Sequence, residues 1–104
     1  MGPKTQELVK VLDELIALLT SDNEQHWSVW MQQARSWIMA SDYSGIEKVL
    51  QAYGGMGSFN DLLLGYSEND GILQQKKGLR ELNDSLEKLR SKAYTLAKEI
   101  AHEQ

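Results

Sequence analysis

Four stretches of the chain place apolar residues at every third or fourth position, and one stretch does not. Leu8, Val11, Leu12, Leu15, Leu18 and Leu19 form a broad apolar face on a helix predicted from about Pro3 to Thr20. Pro3 suits a first helical turn, where a missing N–H costs nothing. The polar run Thr20-Ser21-Asp22-Asn23 then breaks the pattern. Ser21 and Glu24 have capping-box spacing, with Asp22 or Asn23 as alternative caps. So short a turn makes the next helix an antiparallel neighbour. That second helix, predicted to end near Ala40, carries Trp27, Trp30, Ala34 and Trp37 on one stripe flanked by Met31 and Ile38. All three tryptophans of the chain lie there, and rings of this size at helical spacing are expected to pack into the core. The alternative is an aromatic stacking platform.

A short third helix follows, with Ser44 and Glu47 at capping-box spacing and Ile46, Val49 and Leu50 as its apolar face. It is predicted to end near Ala52 or Tyr53, with Gly54 where a helix C-cap sits. The last helix is predicted from near Ile72 to about Glu103. Its stripe of Leu79, Leu82, Leu86, Leu89, Ala93, Leu96 and Ile100 spans three heptads. Glu87 and Arg90 are spaced for a surface ion pair, as are Asp84 and Lys88. The stripe can pack on the first two helices or form a homodimer through the last helix. No clear alternating run marks a sheet, and the one stretch that could read as a short strand is Leu62-Leu63-Leu64. The pattern therefore predicts a single all-α domain over residues 1–104. Three long helices and one or two short ones form a small bundle, with a glycine-rich loop, residues 54–71, across one end.

That loop, GGMGSFNDLLLGYSENDG, holds five of the chain's eight glycines. Gly54, Gly55, Gly57, Ser58, Asn60 and Asp61 are the candidate binding residues. Three glycines in four positions at a helix end predict at least one positive φ, and hence a loop that fixes Ser58, Asn60 and Asp61 in place. A phosphate cradle is disfavoured. The loop lacks the lysine and hydroxyl of a P-loop, no strand precedes it, and Asp61, Glu68 and Asp70 are close by. The simpler reading is a tight turn in which Ser58 caps a short helix and Asp61 sits in its first turn. A calcium loop with Gly71 at its sixth position would begin at Tyr66 and end at Lys77, and both residue types are wrong. An irregular cation site from Asp61, Glu68 and Asp70 is the remaining metal option, and the expectation is no metal and no cofactor.

Composition narrows the classes further. The chain has no cysteine, which removes disulfides and thiolate metal sites. Its two histidines, His26 and His102, lack sequence-local partners for nucleophilic or metal chemistry. No apolar run approaches the ~20 residues that span a bilayer, and the acidic start does not resemble a secretory leader. The expectation is a soluble cytoplasmic protein without a membrane partner. Net charge is −4, split between −6 over residues 1–71 and +2 over residues 72–104. Glu81, Asp84, Glu87 and Glu99 dilute the basic residues of the last helix. A nucleic-acid partner is therefore not expected, and a basic helix lying on an acidic body is.

The run Tyr53-Gly-Gly-Met-Gly-Ser-Phe-Asn-Asp-Leu62 resembles a family of small uncharacterised bacterial proteins, a domain of unknown function with a GGMGSFNDL-like motif. Members are similar in having a tryptophan-containing helix before the motif. They also share a leucine-rich final helix, matched here by Ala93-Tyr94-Thr95-Leu96-Ala97. The likeness covers most of residues 8–100. The chain departs from it at Glu68-Asn69-Asp70-Gly71, where relatives have an Asn-Gly-containing loop. The resemblance implies no known activity. The expected function is a non-enzymatic protein-binding module, immunity-type or regulatory, with another protein as partner. The alternative is a small-ligand or ion-binding domain using loop 54–71.

Overall fold

Helix α1 spans Pro3–Ser21, α2 Gln25–Met39, α3 Ser44–Gln51 and α4 Leu79–His102 in the computed structural model, which describes residues 2–54, 58–69, 72–75 and 78–103. A single 3-10 turn, Phe59–Asp61, follows α3. Three long and two short helices thus build a small all-α bundle. α1 packs against both α2 and α4, and α3 packs against α2 and α4. Leu8, Val9, Val11, Leu12, Leu15 and Leu19 bury one side of α1, and the α4 stripe closes on it through Leu86, Ala93, Leu96, Ala97 and Ile100. Leu79, Leu82 and Leu89 of the same stripe are half-buried. Ser28 is buried without penalty because its hydroxyl meets Thr20 Oγ1 at 2.8 Å and accepts from Gln32 Nε2 at 3.0 Å. Lys92 pairs with Glu7 across α4 and α1 at 3.0 Å, and Arg35 with Asp13 across α2 and α1 at 2.5 Å. Among the described residues no helix is long and apolar enough to cross a membrane.

Several local expectations change. Capping boxes do not start α2 or α3. The Ser21 hydroxyl donates back to Leu18 O, and neither Glu24 nor Tyr43, the residue before each helix, makes a side-chain capping bond. What ends α1 and α2 is a left-handed residue after each. Asn23 has φ 59° and Ser41 φ 60°. The next amide in each case reaches back five residues, Glu24 N to Leu19 O and Asp42 N to Trp37 O. These are the bonds of a Schellman turn, which satisfies carbonyls that a helix end leaves open. Asp42 Oδ1 accepts from Ser44 N at 2.9 Å and shapes the entry to α3.

The tryptophans are not the fully buried face of α2. Ser28, Met31, Ala34 and Ile38 are, about one position round the helix. Trp27 and Trp30 are half-buried against the rim of the core, and Trp37 is half-buried without joining it. Ala34 sits where α2 meets α3, and Gly45 shows why no ring does. A Cβ there would stand 2.6 Å from the Ala34 carbonyl oxygen, so α2 and α3 approach too closely for rings between them. Trp30 instead lies along α3. Its indole N–H donates to Lys48 O at 2.9 Å, and Lys48 Nζ sits 4.0 Å from its ring centroid.

The last helix begins at Leu79, not near Ile72. Residues Ile72–Gln75 form a strand, β2, antiparallel to β1, Tyr66–Asn69, with Asn69 opposite Ile72 and Tyr66 opposite Gln75. Gly78, at φ 74°, separates β2 from α4 in a left-handed conformation that favours glycine. Leu62-Leu63-Leu64 is not a strand.

Candidate functional site

The chain leaving α3 is tied back onto that helix by the motif itself. Phe59 N donates to Ala52 O at 2.9 Å, and Asn60 Nδ2 donates to Tyr53 O at 3.1 Å. Ser58 is extended (φ −79°, ψ 179°), and its Oγ accepts from Asn60 N at 3.3 Å, capping the 3-10 turn as expected. Phe59 is fully buried. Its ring lies 5.2 Å from Trp27 and 5.7 Å from Tyr53, centroid to centroid, and Tyr53 continues to Tyr94 at 4.9 Å. Each contact is in the range where aromatic pairs attract beyond their area.

Helix α4 holds the other side. Arg90 is buried, and its Nη1 donates to Phe59 O at 2.8 Å and to Leu62 O at 3.1 Å. Nη2 donates to Glu87 Oε2 at 2.5 Å, and the Ser91 hydroxyl donates to Glu87 Oε1 at 3.0 Å. These bonds, the one from Arg90 first, hold the Glu87 carboxyl below the usual carboxylate range. The Tyr53 hydroxyl donates to Arg90 O at 2.7 Å, and burial pushes its ionisation up, so it stays a protonated donor. One turn earlier, Asn83 treats Leu64 as a strand neighbour would. Its Oδ1 accepts from Leu64 N at 2.8 Å and its Nδ2 donates to Leu64 O at 3.0 Å. Gly65, at φ 85°, donates its N–H to Asp22 Oδ2 at 2.9 Å. A Cβ on Gly65 would also stand 2.6 Å from Leu79 Cδ1.

Loop 58–65 is therefore clasped at four points, by α3, Arg90, Asn83 and Asp22. Of the candidate residues, Ser58 and Asn60 spend side-chain groups on the protein's own backbone. Asp61 is exposed in the turn. Gly54 does not have positive φ, and Gly55 and Gly57 lie outside the described residues, so the glycine expectation bears on them alone. Asp70, of the irregular cation option, also lies outside. Among the described residues no group of three His, Cys, Asp or Glu side chains could hold a metal ion. His26 stands edge-on to Trp27 at 4.7 Å.

Sequence reasoning missed Arg90 and Asn83. The signal was there: 83, 86, 90, 93, 97 and 100 form one helical row, and a charged residue between Leu86 and Ala93 on a buried row needs partners. Beside the clasp is a cleft of about 430 Å³ lined by Tyr53, Asn60, Glu87, Arg90, Ser91, Tyr94 and Thr95. Leu63, 61% exposed, stands out from the same loop.

No curated protein and no solved structure matches the chain. A family model does: it covers residues 20–72, from the end of α1 through the motif to the start of β2. With half of its length matched, the chain belongs to the domain of unknown function family DUF6966.

Proposed function

We propose that this protein is a non-enzymatic, cytoplasmic protein-binding module, immunity-type or regulatory, that presents loop 58–65 to another protein. One observation carries the reading. The side chains of Ser58 and Asn60 turn inward to hold the loop, while the large apolar Leu63 is left outward on it. A loop held in one shape loses little conformational freedom on binding, which favours recognition of a folded surface.

The test is photo-crosslinking in cells, with the reactive residue placed at Leu63 or, as control, at Met39, which is also exposed but lies at the end of α2. The expected result is one discrete adduct from position 63 that is absent from position 39 and is lost with Asp61→Arg. Equal adducts at both positions, or none at 63, would overturn the reading. A small metabolite that raises the melting temperature in place of any adduct would favour the ligand-binding alternative.

A further inference from the structure

We propose that the cleft between loop 58–61 and α4 receives an arginine side chain of the partner protein. The inference deepens the protein-binding reading and rests on it. Donors of three residues that line the cleft, Arg90, Tyr53 and Ser91, are turned inward onto the protein's own acceptors. The Arg90 guanidinium donates to Phe59 O, Leu62 O and Glu87. The Tyr53 hydroxyl gives its proton to Arg90 O, and the Ser91 hydroxyl gives its proton to Glu87. Asn60 must point its NH₂ at Tyr53 O, since a carbonyl only accepts, and this leaves its Oδ1 as the group to offer outward.

Glu87 is the centre of the site. Its side chain is 62% exposed, and each carboxylate oxygen has one recorded bond although it can accept two. A second guanidinium can therefore approach from the open side while Arg90 holds the carboxylate from the buried side. Tyr94 supplies a flat wall, 38% exposed and braced by Tyr53 behind it. Lys98 Nζ already lies 5.8 Å from the Tyr94 ring centroid, so this ring draws a cation within the chain itself. A planar donor-only group that stacks on a ring and forks onto a carboxylate is a guanidinium. An ammonium satisfies the charge but not the plane.

The probe is N-acetyl-arginine-N-methylamide, titrated into isotope-labelled protein and followed by amide and side-chain NMR shifts. Saturable shifts confined to Asn60, Glu87, Ser91, Tyr94 and Thr95 are expected, with the citrulline analogue, equal in shape but uncharged, giving none. Tyr94→Leu should weaken binding about fivefold, and Lys98→Met, which removes the competing cation, should tighten it. Tyr94→Leu gives up the ring contact with Tyr53 but none of the clasp's hydrogen bonds, and Lys98→Met gives up neither, so melting curves for both variants check that the fold is retained. Shifts of equal size with citrulline, shifts scattered over the surface, or binding unchanged in Tyr94→Leu would overturn the proposal. Because the crosslinking at Leu63 does not depend on this cleft, a discrete adduct there with no arginine binding would discard the arginine and leave the module.

Discussion

Replacing Arg90 by methionine tests whether the motif is held from α4. Methionine keeps the length and apolar stem, so the change removes the guanidinium with little loss of volume. Three bonds are lost, and they are not equal. Phe59 O belongs to a fully buried residue, and an orphaned carbonyl there costs about 1–3 kcal/mol. Leu62 is half-buried, so water can replace part of its bond, and about 1 kcal/mol is the most to expect. Glu87 is mostly exposed and loses no more than ~0.5 kcal/mol. The sum is about 1–4 kcal/mol, a large share of the ~5–15 kcal/mol that holds a domain together. In urea, at a slope of roughly 2 kcal/mol per molar, the midpoint should fall by about 0.5–2 M. Arg90→Lys should recover only part of this, because one compact ammonium cannot span two carbonyls as a fork does. A loss for Arg90→Met below about 1 kcal/mol at unchanged slope would show that water serves the two carbonyls equally well, and the clasp would not depend on Arg90.

Gly45→Ala sets two rules against each other. Helix propensity favours alanine by about 1 kcal/mol, whereas the contact with Ala34 O predicts a net loss of about 1–3 kcal/mol, read by chemical denaturation; a gain would refute the close approach. Trp30→Ala should cost about 3 kcal/mol, since it empties the rim of the core and orphans Lys48 O, and Trp37→Ala no more than about 1 kcal/mol; equal losses would contradict the placement of the two rings. The lowered Glu87 ionisation stabilises the fold above the ordinary carboxylate range, and that contribution is lost as pH falls through its depressed value. Being mostly exposed it is worth at most about 1 kcal/mol, and urea midpoints across the acid range should flatten by that amount in Glu87→Gln.

The helices were legible because each buries a stripe long enough to repeat. Leu8, Leu12, Leu15 and Leu19 define the α1 face without any knowledge of their neighbours. Boundaries were less legible where a turn competes with a cap. Ser21 and Glu24 have the right spacing, yet Asn23 in the left-handed region ends α1 before a cap can form. The α4 start was misplaced because four residues, Ile72–Gln75, are too few to show a period, and Gly78 reads as a weak helix residue until its φ is known. The tryptophan stripe misled for a packing reason. Periodicity marks a face, but the distance between helices decides which residues fit its centre, and Gly45 sets that distance. Of the site, Ser58 as a cap was legible from local spacing, and the role of Asn60 was not, because its partner Tyr53 O is a backbone atom with no trace in the sequence.

The family match ends at residue 72, and groups that hold residues 53–64 lie beyond it, Asn83, Arg90 and Tyr94 on α4. Α1, which covers the other side of α2, lies almost wholly before it. A fragment cut at the limits of that stretch would carry Phe59 without a core to enter and two carbonyls without their donor. The folded unit of this chain is therefore longer than the stretch that the family match covers. Across relatives, a change at the position of Arg90 should be accompanied by a change at Glu87 or in the turn that follows Ser58. Paired substitution of that kind is the trace that physical contact leaves in descent.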